Sequence, residues 1–219
     1  MAMVINTNMA SLNAQRHLSG SQSKLAKSME RLATGKRINS GQDDAAGLGI
    51  SSRLGGKIRA LNQSVRNAND GVSMAKAGDG ALAEVANMLE RMRELVNQKG
   101  DGALSAADKS AITAEMTSLQ TEITNIKTNT KFNGVDLLGG LNQTFTVGET
   151  DTYSLNVAAA SVAAGSTATS VEAAIDSVSK ARGNFGKAIT VLESRAKNSA
   201  ALAENLSAAR SQILDADIA

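Results

Sequence analysis

The sequence is poor in the residues on which most catalytic and metal sites depend. Its 219 residues include no cysteine and one histidine, His17. Without cysteine there can be no disulfide, thiolate metal site or cysteine nucleophile. A single histidine leaves a zinc site or a Ser-His-Asp triad almost nothing to build on, because such sites need several converging groups. We therefore expect no enzyme activity and no cofactor, and we place His17 on the exposed face of an amphipathic helix.

Proline and aromatic residues are scarce too. There is no proline, although average usage would give about eleven in a chain of this length. The chain can therefore form long helices that no proline interrupts. Aromatic residues make up 2% of the chain, so the core must be aliphatic, and stacking platforms for nucleic-acid bases are missing. The modest net charge of +2, with both signs interspersed, also argues against nucleic acid as a partner.

Long apolar runs are missing as well. Nowhere do about 18 apolar residues follow one another, so the sequence predicts no membrane span. The first 20 residues have no apolar h-region and no cleavage pattern. We therefore expect that, if the protein leaves the cell, it is exported without a cleaved signal peptide.

What the chain does contain is helical periodicity. From Val4 to Ala33, apolar residues recur about every seven positions, but serines interrupt the seam, which predicts a helix that is marginal without a partner. Gly35 and the cations after it indicate the helix end. A stricter heptad follows from Leu54 to Ala75, and after Gly78-Asp79-Gly80 the pattern resumes from Leu82 to Val96, which predicts a helix from about residue 44 to 99. A helix of that length would be roughly 80 Å long, which predicts a rod.

After residue 99 the sequence predicts a second helix and then a change from helical to strand periodicity. Ser105-x-x-Asp108 is typical of a capping box and opens a returning helix. Residues 131–157 alternate apolar and polar positions around Asn133-Gly134, which predicts short hairpins. Residues 161–170 are small and predict a linker, and from 171 onward a long helix runs to the end. The predicted class is mainly α, a long antiparallel coiled-coil rod with a small β-hairpin region at one end.

Two features could have indicated chemistry. The stretch RINSGQDDAAGLGIS, residues 37–51, has a carboxylate pair beside glycines, but no second ligand set converges on it. We interpret Ser40-x-x-Asp43 as a capping box that opens the long helix, with Asp43 and Asp44 in its first turn. The methionines at helical spacing could form a binding groove, but core packing is the better interpretation; they are Met74, Met88, Met92 and Met116.

Several runs resemble bacterial flagellin, the subunit of the flagellar filament. They include INTNMASLNAQRHL, RLATGKRINSGQDDAAGLGIS, LNQSVRNANDGVSMAKAGDGAL, MLERMREL, TKFNGVDLL and the C-terminal run that starts RGNFGKAITVLESRAKN. The resemblance covers roughly residues 1–139 and 171–219, so large variable outer domains are missing. It implies an N-terminal inner-tube helix (1–36), a connector (37–43), the N-terminal part of a coiled-coil domain (44–139), a short variable hairpin and linker region (140–170) and a C-terminal long helix (171–219).

The resemblance also implies a way of working. Subunits of this family pack into a filament through their terminal helices, which points here to the apolar residues Val4, Ile5, Leu12, Leu18, Leu25 and Leu32. The implied partners are further copies of the chain, the filament cap, hook–filament junction proteins, and the flagellar export machinery with its chaperone. The implied location is the extracellular filament, with no nucleic-acid or membrane partner. Ordering of weak terminal helices on assembly fits the thin N-terminal seam.

The C-terminal end departs from the family pattern. Apolar periodicity continues to Ile218 with no capping glycine, and Asp215 and Asp217 lie where the helix dipole disfavours anions. Flagellins normally continue into a terminal helix that pairs with the N-terminal one. We therefore expect a truncated chain that elongates seed filaments poorly or not at all.

Flagellins are also ligands of the animal Toll-like receptor 5. The resemblance places the recognised surface on Arg91, Leu95 and Glu115. Alternatives remain: a hook–filament junction protein, or a truncated chain that acts only as a soluble receptor ligand. Some flagellins carry a metallopeptidase in the variable region, but that region has no histidine here.

Overall fold

The fold was determined as a computed structural model, which describes residues 8–161 and 167–217. Within these residues the chain is mainly helical, with two small antiparallel sheets, which confirms the predicted class. The elements, in order, are α1 (Met9–Thr34), α2 (Ala45–Lys99), α3 (Ala106–Asn129), β1 (Lys131–Phe132), β2 (Val135–Asp136), β3 (Leu141–Thr146), β4 (Thr152–Val157) and α4 (Ala168–Leu214).

The chain divides into two compact units. Unit 1 comprises Met1–Arg59 and Ala203–Ala219, and unit 2 comprises Ala60–Leu202. In unit 1, α1 leads into the connector and the start of α2, and the end of α4 packs beside them. In unit 2, the remainder of α2 and α4 pack together with α3 and both hairpins.

The core of unit 2 is aliphatic, as the scarcity of aromatics predicts. Most heptad positions of α2 in this unit are buried, and α3 and α4 contribute matching apolar positions. Each such side chain contributes about 1.5–3 kcal/mol when it is fully buried. The largest fully buried side chains in this unit are Phe185, Leu82, Leu89, Met92, Leu95, Ile123, Leu137, Leu155 and Leu192. Three of the four singled-out methionines are buried and the fourth packs against the core, so the core interpretation is confirmed.

The glycines that interrupt the heptad do not interrupt the helix. α2 runs without a break through Gly78-Asp79-Gly80. A Cβ placed on Gly78 would lie 2.5 Å from the Phe185 ring of α4, so only glycine leaves room for that ring. The Asp79 carboxylate accepts a hydrogen bond from the Arg182 side chain at 2.9 Å. The interruption is therefore the place where the one large aromatic ring of the core docks.

The two hairpins follow the predicted turn chemistry. Asn133 and Gly134 both have positive φ, at 49° and 82°, as a two-residue hairpin turn with a type I′ backbone requires. This turn joins β1 to β2, in which Phe132 pairs with Val135. β3 pairs with β4 in antiparallel register from Leu141↔Val157 to Thr146↔Thr152. Val147, just after β3, packs on the unit 2 cluster that contains Leu192.

α3 begins at the predicted capping box. The Ser105 hydroxyl accepts from the Asp108 backbone N–H at 3.2 Å, and the Asp108 carboxylate accepts from the Ser105 N–H at 3.1 Å. Hydrogen bonds from Ser105, first from its side chain and then from its backbone, lower the pKa of Asp108. The reciprocal pair satisfies two helix donors that would otherwise lack partners.

Candidate functional site

The most unusual surface of the molecule is the apolar stripe of α1. The helix starts after Asn8, whose side chain accepts from the Ser11 N–H at 3.0 Å, and it ends at Gly35, which has a φ of 67°. None of the 26 residues between these caps is buried. The large exposed apolar side chains of α1 are Met9, Leu12, Leu18, Leu25, Met29 and Leu32, and between 42% and 64% of each is exposed. Four of them share one face of the helix and form the stripe, namely Leu18, Leu25, Met29 and Leu32, whereas Leu12 and Met9 lie more than roughly 100° away around the helix axis.

This stripe contains three of the predicted inner-tube residues. Leu18, Leu25 and Leu32 lie on it, Leu12 is exposed but lies roughly 120° away around the helix, and Val4 and Ile5 fall outside the described residues. A helix stabilised mainly by packing of an apolar face is marginal without that packing. The stripe is therefore a surface that is suited to a partner helix.

The connector after α1 is organised by Asp43. Its carboxylate accepts from the backbone N–H groups of Asn39 and Ser40 at 3.1 and 3.2 Å, and it pairs with the Lys27 ammonium at 2.6 Å. The Lys27 hydrogen bond, followed by that from Asn39, holds the pKa of Asp43 well below its usual range. Asp43 thus joins α1 to the connector.

The structure places the connector carboxylates differently from the sequence interpretation. α2 begins at Ala45, so neither Asp43 nor Asp44 lies in its first turn. Asp44 precedes the helix, and its carboxylate accepts from the Gly47 N–H at 2.8 Å, as an N-cap does. Ser40 and Asp43 instead close the turn before it. The sequence contains two candidate caps, Ser40 and Asp44, and the structure uses Asp44. Asp43 serves the connector through its bonds to Asn39, Ser40 and Lys27.

The connector is also tied to the end of α4, which sequence reasoning missed. The Arg37 N–H donates to the Leu214 carbonyl at 2.8 Å, and the Arg37 guanidinium donates to the Ile213 carbonyl at 2.7 Å. The Ala216 N–H donates to the Gly35 carbonyl at 2.9 Å. The two Arg37 bonds satisfy carbonyls at the end of α4, and the Ala216 bond ties the chain after α4 to the C-cap of α1. The partners are more than 170 residues apart in sequence, so no local signal could indicate them.

In unit 2, the predicted receptor residues do not all reach the surface. The Arg91 guanidinium pairs with Glu94 on α2 and with Glu115 on α3, at 3.0 Å in each case, and all three side chains are about half exposed. The hydrogen bonds that Arg91 donates to Glu94 and then to Glu115 raise the pKa of Arg91. Leu95, however, is 1% exposed, because it occupies a core position of the heptad. Arg91 and Glu115 can contact a partner, whereas Leu95 packs in the core of unit 2.

Clusters of metal-ligating side chains are absent from the described residues. No group of three or more histidine, cysteine, aspartate or glutamate residues that could hold a metal ion occurs among residues 8–161 and 167–217. His17 lies exposed on α1, as predicted. None of the helices in the described part of the chain is both long and apolar enough to cross a membrane.

Comparison with known proteins shows which family the chain resembles. Residues 5–143 match the family described as the bacterial flagellin N-terminal helical region. The chain is 49% identical over 140 residues to B-type flagellin of Pseudomonas aeruginosa and 48% identical over 140 residues to polar flagellin F of Vibrio parahaemolyticus. These alignments cover 64% of this chain and 29% and 37% of the two relatives, so the chain spans about a third of their length.

Among solved structures, one from Vibrio parahaemolyticus described as a flagellar hook-associated protein has the same fold. The TM-score is 0.55 at 16% identity, and the match covers 80% of this chain and 97% of that one. At this identity the likeness is one of fold alone.

Proposed function

Since this chain belongs to the bacterial flagellin family, we propose that it is a structural subunit of the extracellular flagellar filament. It acts through packing and has no catalytic role. The observation that carries the proposal is the α1 stripe, on which Leu18, Leu25 and Leu32 are each about 60% exposed. Each leucine contributes about 1.5–3 kcal/mol when a partner covers it fully, so a stripe of this length favours helix pairing between subunits or within one.

The partners that follow from this role are further copies of the chain, the filament cap, hook–filament junction proteins, and the flagellar export machinery with its chaperone. Export without a cleaved signal peptide belongs to the same proposal. The α1 helix, with no buried residue, is suited to such a route because little packing has to be undone before the helix unfolds.

The test is made in the bacterium that carries the gene. Filaments sheared from its surface and pelleted should contain peptides of this chain by mass spectrometry. The substitution Leu25→Asp should shorten or abolish filaments in electron micrographs, because it buries a charge in the helix seam. Ser23→Asp, which adds the same charge at an exposed polar position of α1, is the matched control and should leave filaments intact.

Two results would count against the filament role. One is the absence of this chain from purified filaments. The other is normal filament length with Leu25→Asp. Immunogold labelling that marks only the junction with the hook would favour the hook–filament junction protein instead.

We further propose that the chain is a ligand of the animal Toll-like receptor 5, through the exposed ion pairs of Arg91 with Glu94 and Glu115. This cluster joins α2 to α3, and an arginine held in place by carboxylates is preorganised for contact with a partner. Arginine is enriched among the residues that dominate binding energy at interfaces. The same activity in a chain that does not assemble would make it a soluble receptor ligand.

Receptor activation is measured as a dose response in cells that express the receptor. Arg91→Ala should raise the half-maximal dose by about tenfold or more, as expected for a dominant interface residue. Arg93→Ala is the control, because Arg93 lies on the same helix and pairs locally with Glu90 instead. An unchanged dose response with Arg91→Ala, or an equal loss with Arg93→Ala, would remove the assignment.

A further inference from the structure

Unit 1 contains a cleft in which three cationic side chains converge, none of them in an ion pair with another described residue. Its volume is about 270 Å³, and it lies between the connector, one face of α2 and the end of α4. Water occupies about 30 Å³ per molecule, so the cleft has room for a small polyatomic anion together with several waters. The charged side chains that line it are Lys36, Arg59 and Arg210, and no carboxylate does so among the described residues.

The two arginines lie close to each other at Gly55. A Cβ placed on Gly55 would be 3.7 Å from the Arg210 guanidinium carbon and 3.7 Å from an Arg59 terminal nitrogen. Like charges that approach the same point repel each other, and an anion bound beside both guanidinium groups would offset that repulsion. The Arg210 Nε is buried and has no hydrogen-bond partner among residues 8–161 and 167–217, which is unusual for a buried donor.

Neighbouring groups do not neutralise these charges. Asp215 lines an adjoining cleft with Lys36 and Arg210, but its carboxylate accepts from the Ser211 hydroxyl at 2.6 Å, and within the described ranges no ion pair joins it to either cation. Lys36, Arg59 and Arg210 take part in none of the ion pairs found there. The cleft therefore keeps a local positive charge in a chain whose net charge is only +2.

We propose that this cleft binds a small tetrahedral oxyanion of the phosphate class. Guanidinium groups match such anions because their N–H donors form two parallel hydrogen bonds to two oxygens. The Lys36 ammonium adds a third cation, and Ser52 adds a hydroxyl on the α2 face of the cleft. The bound anion bridges α2 to α4 within unit 1 and relieves the repulsion between Arg59 and Arg210. The site is independent of filament assembly.

Isothermal titration of the purified chain with sodium phosphate, against sodium chloride at equal ionic strength, tests the proposal. The wild type should bind one equivalent of phosphate saturably. Arg59→Gln and Arg210→Gln should each weaken binding by about tenfold, because each removes charge-assisted hydrogen bonds. Arg53→Gln is the matched control: Arg53 is an exposed arginine of α2 outside the cleft, and its loss should change affinity less than about twofold.

A second variant keeps the test decisive if Arg210→Gln does not fold. Ser52→Asp supplies a carboxylate inside the cleft, so it should abolish phosphate binding and raise the thermal midpoint measured without phosphate. Absence of a saturable signal with the wild type, or equal weakening by Arg53→Gln, would overturn the proposal. Arg59-dependent self-association in sedimentation without phosphate binding would also overturn it, in favour of a carboxylate from a second copy.

Discussion

Gly78 lies in the middle of α2, where alanine would bring two opposing effects on stability. Glycine inside a helix is about 0.8–1.0 kcal/mol less favourable than alanine, so helix propensity alone predicts that Gly78→Ala is stabilising. Sterics predict the reverse, because the new methyl group would lie 2.5, 2.8 and 2.9 Å from three atoms of the Phe185 ring. Phe185 is fully buried and cannot turn away into solvent.

Overpacking of a well-packed core costs about 1–3 kcal/mol. With a propensity gain of about 1 kcal/mol, Gly78→Ala should destabilise the chain by about 1 kcal/mol net. Gly80 is the matched control, since it lies two residues away on the same helix and a Cβ there would meet nothing within 4 Å. Gly80→Ala should therefore stabilise the chain by about 0.5–1 kcal/mol.

The assay is urea unfolding followed by circular dichroism at the helix band. The two variants should differ by about 2 kcal/mol, with opposite signs relative to the wild type. A double-mutant cycle identifies the cause: Phe185→Leu destabilises the wild type but should do so by about 1 kcal/mol less when Gly78→Ala is present. If Gly78→Ala stabilises the chain as much as Gly80→Ala does, the packing argument is refuted.

Two further predictions concern buried Leu95 and the connector. Leu95→Ala should lower the free energy of unfolding by about 2–5 kcal/mol in the same urea assay, because it leaves a cavity in the unit 2 core; an effect under about 0.5 kcal/mol would contradict its burial. Asp43→Asn should lower the thermal midpoint of unit 1 at neutral pH, since the folded-state pKa of Asp43 is depressed by Lys27. A depressed pKa stabilises above the ordinary carboxyl value of about 3.9 and loses that effect as the pH falls toward the folded value. The difference between Asp43→Asn and wild type should therefore shrink when melting is repeated near pH 2, and a constant difference would refute the linkage.

Much of the fold follows from local pattern. The heptad that starts at Leu54 predicts the body of α2 and its end near residue 99, whereas the capping box expected at Ser40 places the start of α2 too early. Ser105-x-x-Asp108 predicts the start of α3. The Asn133-Gly134 hairpin follows because few residues other than asparagine and glycine adopt positive φ readily. These features depend on backbone preferences and spacing within a few residues, which a single sequence displays directly.

The candidate surfaces could be predicted only in part. The seven-residue repeat identifies Leu18, Leu25 and Leu32 as one stripe, because helix geometry places such residues on the same face. The same repeat places Leu95 in the core seam, whereas the family resemblance alone assigns it to a receptor surface; the structure agrees with the repeat. The cleft between Arg59 and Arg210 has no sequence signature, since its two arginines are 151 residues apart.

The sequence by itself determined which segments are helical, where the turns lie, and that the core is aliphatic, because propensity and periodicity act over one or two turns of the chain. Only the tertiary structure decided the roles of residues that do not fit those local patterns, such as Gly78, Asp43 and Arg37. Gly78 must be a glycine because the ring of Phe185, 107 residues further along the chain, packs directly against it. Asp43 ties the connector to α1 because it forms an ion pair with Lys27. Arg37 completes the end of α4 because its backbone N–H and its guanidinium donate to two carbonyls at the end of that helix, which lies at the other end of the chain. Such contacts depend on which distant segments meet, and that is a property of the packed fold.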